Sequence, residues 1–231
     1  DNDAALENLR ETIRIKTEWV NENENLSDTD YNEIMECFDG SLRVVTWKYG
    51  SDDISRAELL LKKGTYQGQQ KMYEDAVGTF VEALRIFKRN YGDKHLDVSH
   101  TLFNIGMLMN EQREPERAIK CLSKALHTTK GILGDEHIDV ADTIAQLGVA
   151  FNLKGEYDEA IEHYETALQS RKQIVGEDNL ESASIMHDLG DVYCKLGQWG
   201  KAEQCYRESL KIRNMKFAAS IDISSTLFGL G

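Results

Sequence analysis

The chain has 231 residues, 41% of them hydrophobic and only one of them proline, enough to enclose a sizeable core while leaving long helices unbroken. A formal charge of −13 argues against a surface that neutralises nucleic-acid phosphates, and no apolar run approaches the ~18 residues of a membrane-spanning helix. Cys37, Cys121, Cys194 and Cys205 form no Cys-x-x-Cys pair, so reduced, half-buried thiols are expected in place of a zinc site or a disulfide framework.

From the N-terminus, residues 1–53 carry 14 acidic and 5 basic side chains, a net of −9, which leaves −4 for a nearly balanced remainder. A helix is expected within residues 4–23. Residues 32–50 align with 74–92, one period of 42 residues later, pairing Phe38 with Phe80, Ser41 with Ala83 and Leu42 with Leu84. Residues 1–56 therefore read as acidic N-terminal helices with a divergent repeat. Glu22 stands where the repeat's crossing glycine would fall, as in a terminal cap.

Four clear repeats follow, at 57–98, 99–140, 141–182 and 183–223. Gly50, Gly92, Gly134 and Gly176 keep the 42-residue step, and so do Gly64, Gly106, Gly148 and Gly190. Ala76, Ala118, Ala160 and Ala202 form a small-residue register, and Phe80, Leu122, Tyr164 and Tyr206 a large one. Apolar residues recur at steps of three and four, so each repeat predicts two helices, as from Asp97 to Gln112 and from Pro115 to about Lys130. Proline suits the first turn of the second helix, where its missing N–H would be unpaired in any case.

The punctuation agrees with this period. Gly92, Gly134 and Gly176 are placed to end each second helix in a left-handed conformation, and Asp97, Asp139 and Glu181 to put negative charge on the next N-terminus. Gly106 and Ala118 are expected where the two helices cross closely. At the C-terminal end Ile221-Asp222-Ile223, Leu227, Leu230 and Gly231 restart the pattern, so residues 224–231 read as the start of a further repeat in a segment of a larger protein.

The residues Leu102, Ile105-Gly106, Met109, Ala118, Leu122 and Ala125, and more closely Ile144, Leu147-Gly148, Phe151, Ala160, Tyr164 and Ala167, resemble the tetratricopeptide signature. The 42-residue length and the link Leu133-Gly134-Asp135-Glu136-His137-Ile138-Asp139-Val140-Ala141 resemble the long repeats of kinesin light chains, although Ile138 and Leu96 occupy a position where that family has proline. The resemblance implies an all-α fold, a right-handed superhelical solenoid of antiparallel helix pairs. It also implies a groove lined by first helices, in which a protein or peptide partner is held.

Carried onto this sequence, the groove positions are Glu58, Leu61 and Thr65 in the first repeat, then His100, Phe103, Met107 and Asn110. Asp142, Ala145, Val149 and Asn152 follow, and then Ser184, His187, Asp191 and Lys195. Phe103, Met107, Ala145 and Val149 give an apolar wall, while Asn110 and Asn152 are placed to bond a peptide backbone. The asparagine register of the chaperone-binding clamp holds Thr65, Met107, Val149 and Asp191 instead, so capture of a heat-shock chaperone tail is not expected.

His95 and His137 belong to the link between repeats, and His163 shares a register with Cys37, Thr79, Cys121 and Cys205. Such residues are strung along the array and do not converge, so no metal, cofactor or catalytic centre is expected. The expected role is a soluble, cytoplasmic adaptor or scaffold that takes part in a larger complex without nucleic acid or membrane insertion. A sensor region of a larger enzyme or ATPase, or a structural subunit of a large assembly, is the alternative.

Overall fold

The computed structural model describes residues 11, 14, 28–176 and 179–229, with side chains described to Lys216. The N-terminal helix expected between residues 4 and 23, and the closing residues Leu230 and Gly231, lie outside this set. The described residues form nine α-helices and no strand.

The chain divides into two compact units, Asp1–Gln112 and Arg113–Gly231. The first holds α1 (Asp28–Tyr49), α2 (Ile54–Gln69), α3 (Tyr73–Tyr91) and α4 (Leu96–Glu111); α2 and α3 form a helical hairpin, and α4 packs on α3. The second holds α5 (Pro115–Leu133), α6 (Ile138–Lys154), α7 (Tyr157–Val175), α8 (Leu180–Lys195) and α9 (Trp199–Gly229), with α6/α7 and α8/α9 as its hairpins. First helices start at Ile54, Leu96, Ile138 and Leu180, and second helices at Tyr73, Pro115, Tyr157 and Trp199, so both sets keep the period of the sequence.

One residue before each first helix, a side chain caps the exposed N–H groups. Asp53 accepts from Ser55 N (2.9 Å), His95 Nδ1 from Asp97 N (3.3 Å), His137 Nδ1 from Asp139 N (3.2 Å) and Asn179 from Glu181 N (2.9 Å). The histidines of the link thus act as helix caps, each through a neutral ring nitrogen.

The second helices stop at Gly92, Gly134 and Gly176, with φ of 79°, 83° and 88° and ψ near 180°. That positive φ was expected, but the extended ψ places them outside the left-handed helical basin, in a region open only to glycine. The turn after each first helix has its own positive-φ register, Lys71, Arg113, Gly155 and Gly197, with φ of 60°, 59°, 87° and 70°. A side chain at that φ costs about 1 kcal/mol relative to glycine. Lys71→Gly is therefore expected to raise stability by at most about 0.5 kcal/mol, net of the added unfolded-state entropy, read as a higher urea midpoint at unchanged m-value.

The hairpins close through the glycine register, which meets the aromatic register. A Cβ on Gly64 would lie 2.8 Å from the Phe80 ring, one on Gly148 2.8 Å from Tyr164, and one on Gly190 2.7 Å from Tyr206. Absence of a side chain lets each ring approach the first helix closely. Around Tyr164, only 1% exposed, pack Ala160, Ile185, Leu189 and Val192, so the two hairpins of the second unit share one core.

Helix α9 continues to Gly229 without the break expected before residue 224. Position 218, one period after Gly176, is alanine, and the helix has no glycine there to stop it.

Candidate peptide-binding faces on the first helices

In the first unit α2 and α4 run side by side, close enough that a Cβ on Gly68 would lie 3.2 Å from Leu108. Glu58 and Thr65 are exposed on α2, with Leu61 half-buried; on α4, His100 and Met107 are exposed, and Phe103 is half-buried. Asn110 is only 5% exposed and presents little of its amide.

In the second unit α6 and α8 are neighbours, and Lys195 Nζ donates to Asn152 Oδ1 at 2.7 Å across them. Val149 packs half-buried against the shared core, and Ala145, 8% exposed, belongs to that core. Asp142 is paired with Arg171 of α7, whose buried guanidinium also reaches Asn179 Oδ1 (3.1 Å) and Glu181 Oε2 (3.5 Å). Burial pushes the Asp142 carboxyl up, against the opposing pull of Arg171. Asp142 thereby ties α6 to α7 and to the start of α8.

His187 and Asp191, one turn apart on α8, both turn to Tyr206 of α9. The imidazole lies against its ring at 5.2 Å, and Asp191 Oδ1 accepts its hydroxyl at 2.6 Å. Ser184 accepts from Arg213 at 3.3 Å.

Sequence reasoning passed over Asp188. It shares a register with Lys62, Asn104 and Gln146, and that all-polar register was the available signal. Its half-buried carboxyl is pushed up to about 6, chiefly by burial and then by Asp191, with His187 and Arg213 opposing. Between about pH 4 and 6 the folded chain holds a proton that the unfolded chain has released, so Asp188's contribution to stability falls as pH rises through that window. Asp188→Asn is expected to remove this loss, on the order of 2 kcal/mol at pH 7, seen as a flatter pH profile of the denaturation midpoint.

The four cysteines are free and half-buried, and burial pushes the Cys121 and Cys205 thiols up. Among the described residues no group of three or more His, Cys, Asp or Glu side chains is placed to hold a metal ion, and no helix is long and apolar enough to cross a membrane.

Stacked helical hairpins with a fixed period and a glycine–aromatic crossing define a helical repeat protein. The sequence matches the tetratricopeptide repeat at residues 55–130, 104–173 and 139–215, and the chain belongs to that family. A putative kinesin light chain with nearly identical repeats from Podosopora anserina is similar in structure, with a TM-score of 0.71, 14% identity, and coverage of 91% of this chain and 97% of that one. BtubC from P. vanneervenii gives a TM-score of 0.65 at 17% identity, covering 94% and 92%. A Rap protein complexed with Competence and Sporulation Factor gives 0.64 at 20% identity, covering 78% of this chain but 48% of that one. No curated protein matches the sequence.

Proposed function

We propose that this chain is an adaptor that holds a peptide segment of a partner protein on the face of its first helices. The observation that carries this reading is the Lys195–Asn152 bond, which joins α6 and α8 at 2.7 Å and brings two groove registers onto one face. Val149 supplies an apolar contact on that face, while His187 and Lys195 remain exposed. The similar Rap protein was solved in complex with a factor, which accords with ligand binding by this fold.

Peptides selected against the immobilised chain provide the test. Asn152→Ala with Lys195→Ala in the second unit, and Phe103→Ala with Asn110→Ala in the first, are each to be measured for affinity and for unchanged helicity. Loss of about tenfold or more from at least one pair is expected, because hot-spot side chains carry most of such an interface. Unchanged affinity in both pairs would contradict the reading.

A further inference from the structure

Helix α7 turns Tyr157, Ile161 and Leu168 toward the core that it shares with α8, and all three are half-buried there. One period later, α9 packs against α8, and the described residues place no further helix over it. Trp199 and Leu210, in the registers of Tyr157 and Leu168, are 68% and 57% exposed. A cavity of about 330 Å³ opens on this face, lined by Trp199, Ala202, Glu203, Tyr206, Arg207 and Leu210. Large apolar side chains left bare at the end of a stack mark a contact site.

The middle of the stripe departs from the repeat. The register of Glu203 holds Val77, Ile119 and Ile161 in the repeats before it, so a following first helix of the same kind would press apolar side chains onto the Glu203 carboxylate. Glu203 is instead paired along α9 with Arg207 at 2.6 Å, and their side chains are 63% and 78% exposed. Trp199, Glu203, Arg207 and Leu210 follow one another at steps of three and four, on one face of the helix. Opposite charges thus stand between two apolar residues.

That order is self-complementary. Along the axis Trp199 lies about 9 Å before Cys205 and Leu210 about 7.5 Å after it, while Glu203 and Arg207 stand at equal distances on either side. We propose that this face of α9 pairs with the same face of a second copy of the chain, antiparallel about a two-fold axis at the level of Cys205. Trp199 then meets Leu210 of the second copy, Glu203 meets its Arg207, and each contact occurs twice. Exchanging the exposed ion pair within each helix for one between chains costs little, and burial of the tryptophan and leucine drives association. The stripe is small beside the roughly 800 Å² per partner of a standard interface, so a micromolar dimer is expected.

Sedimentation equilibrium of the whole chain across the micromolar range tests this, and the parent is expected to dimerise. Glu203→Arg sets arginine against arginine twice, and Arg207→Glu sets glutamate against glutamate, so each variant alone should associate about tenfold more weakly. An equimolar mixture of the two variants brings opposite charges together again and should dimerise as the parent does, and so should the double variant. Both side chains are exposed, so helicity should be unchanged throughout. A parent that stays monomeric overturns the proposal and leaves the face to a following hairpin or to another protein. A dimer indifferent to both charge reversals, or one not rescued by mixing, overturns the two-fold arrangement.

Discussion

Gly148→Val is expected to destabilise the chain by about 2–3 kcal/mol, although replacing a helical glycine ordinarily adds stability. The new Cβ would stand 2.8 Å from two carbons of the Tyr164 ring, a distance that real Cβ atoms do not adopt. The ring has nowhere to go, since it is 1% exposed and enclosed by Ala160, Ile185 and Leu189. Helix α6 must move outward, carrying Val149 and Asn152 with it. Tyr164→Leu supplies the compensation, because Leu122 fills the same register one repeat earlier. In a double-mutant cycle by urea denaturation, the two changes together should cost about 1–2 kcal/mol less than their sum. Strict additivity would show that the glycine and the ring are not coupled.

Arg171→Met should cost about 2–3 kcal/mol near neutral pH. The guanidinium, 5% exposed, is the shared partner of Asp142, Asn179 and Glu181, so its loss unties α6, α7 and the N-terminus of α8 together. The cost stays below that of a wholly buried pair because the Asp142 side chain is 39% exposed and water screens what remains. Burial already pushes the Asp142 carboxyl up, and losing Arg171 would push it further. The variant's deficit should therefore shrink as pH falls and Asp142 takes a proton, and Asp142→Asn in the variant should recover part of it. Thermal unfolding at several pH values measures both effects; equal stability of variant and parent at neutral pH would remove this role.

The helix starts could be read in advance because the polar residues before them and the apolar spacing repeat every 42 residues, and a feature repeated four times stands above local noise. What occurs once could not. Arg171 shares its register with Phe87, Thr129 and Arg213; Arg213 repeats the reach, but to the hydroxyl of Ser184, so the period did not mark the ion pair with Asp142, 29 residues away. The turn register was hidden for a related reason: Lys71 and Arg113 adopt a positive φ at a cost, so two of its four positions lack the glycine that would have marked them. Asp142 and Ala145 were grouped with the groove by register alone, whereas an ion pair and the shared core absorb much of their surface. Tertiary contact, which register does not encode, decides how much of a groove position remains for a ligand.

Backbone amide shifts of the whole chain, recorded as a selected peptide is titrated in, test the central claim most directly. The account predicts that the largest changes gather at Val149, Asn152, His187, Asp191 and Lys195 on α6 and α8. Changes gathered instead on the exposed surface of the second helices, around Lys120, Glu162 and Glu208, would contradict it.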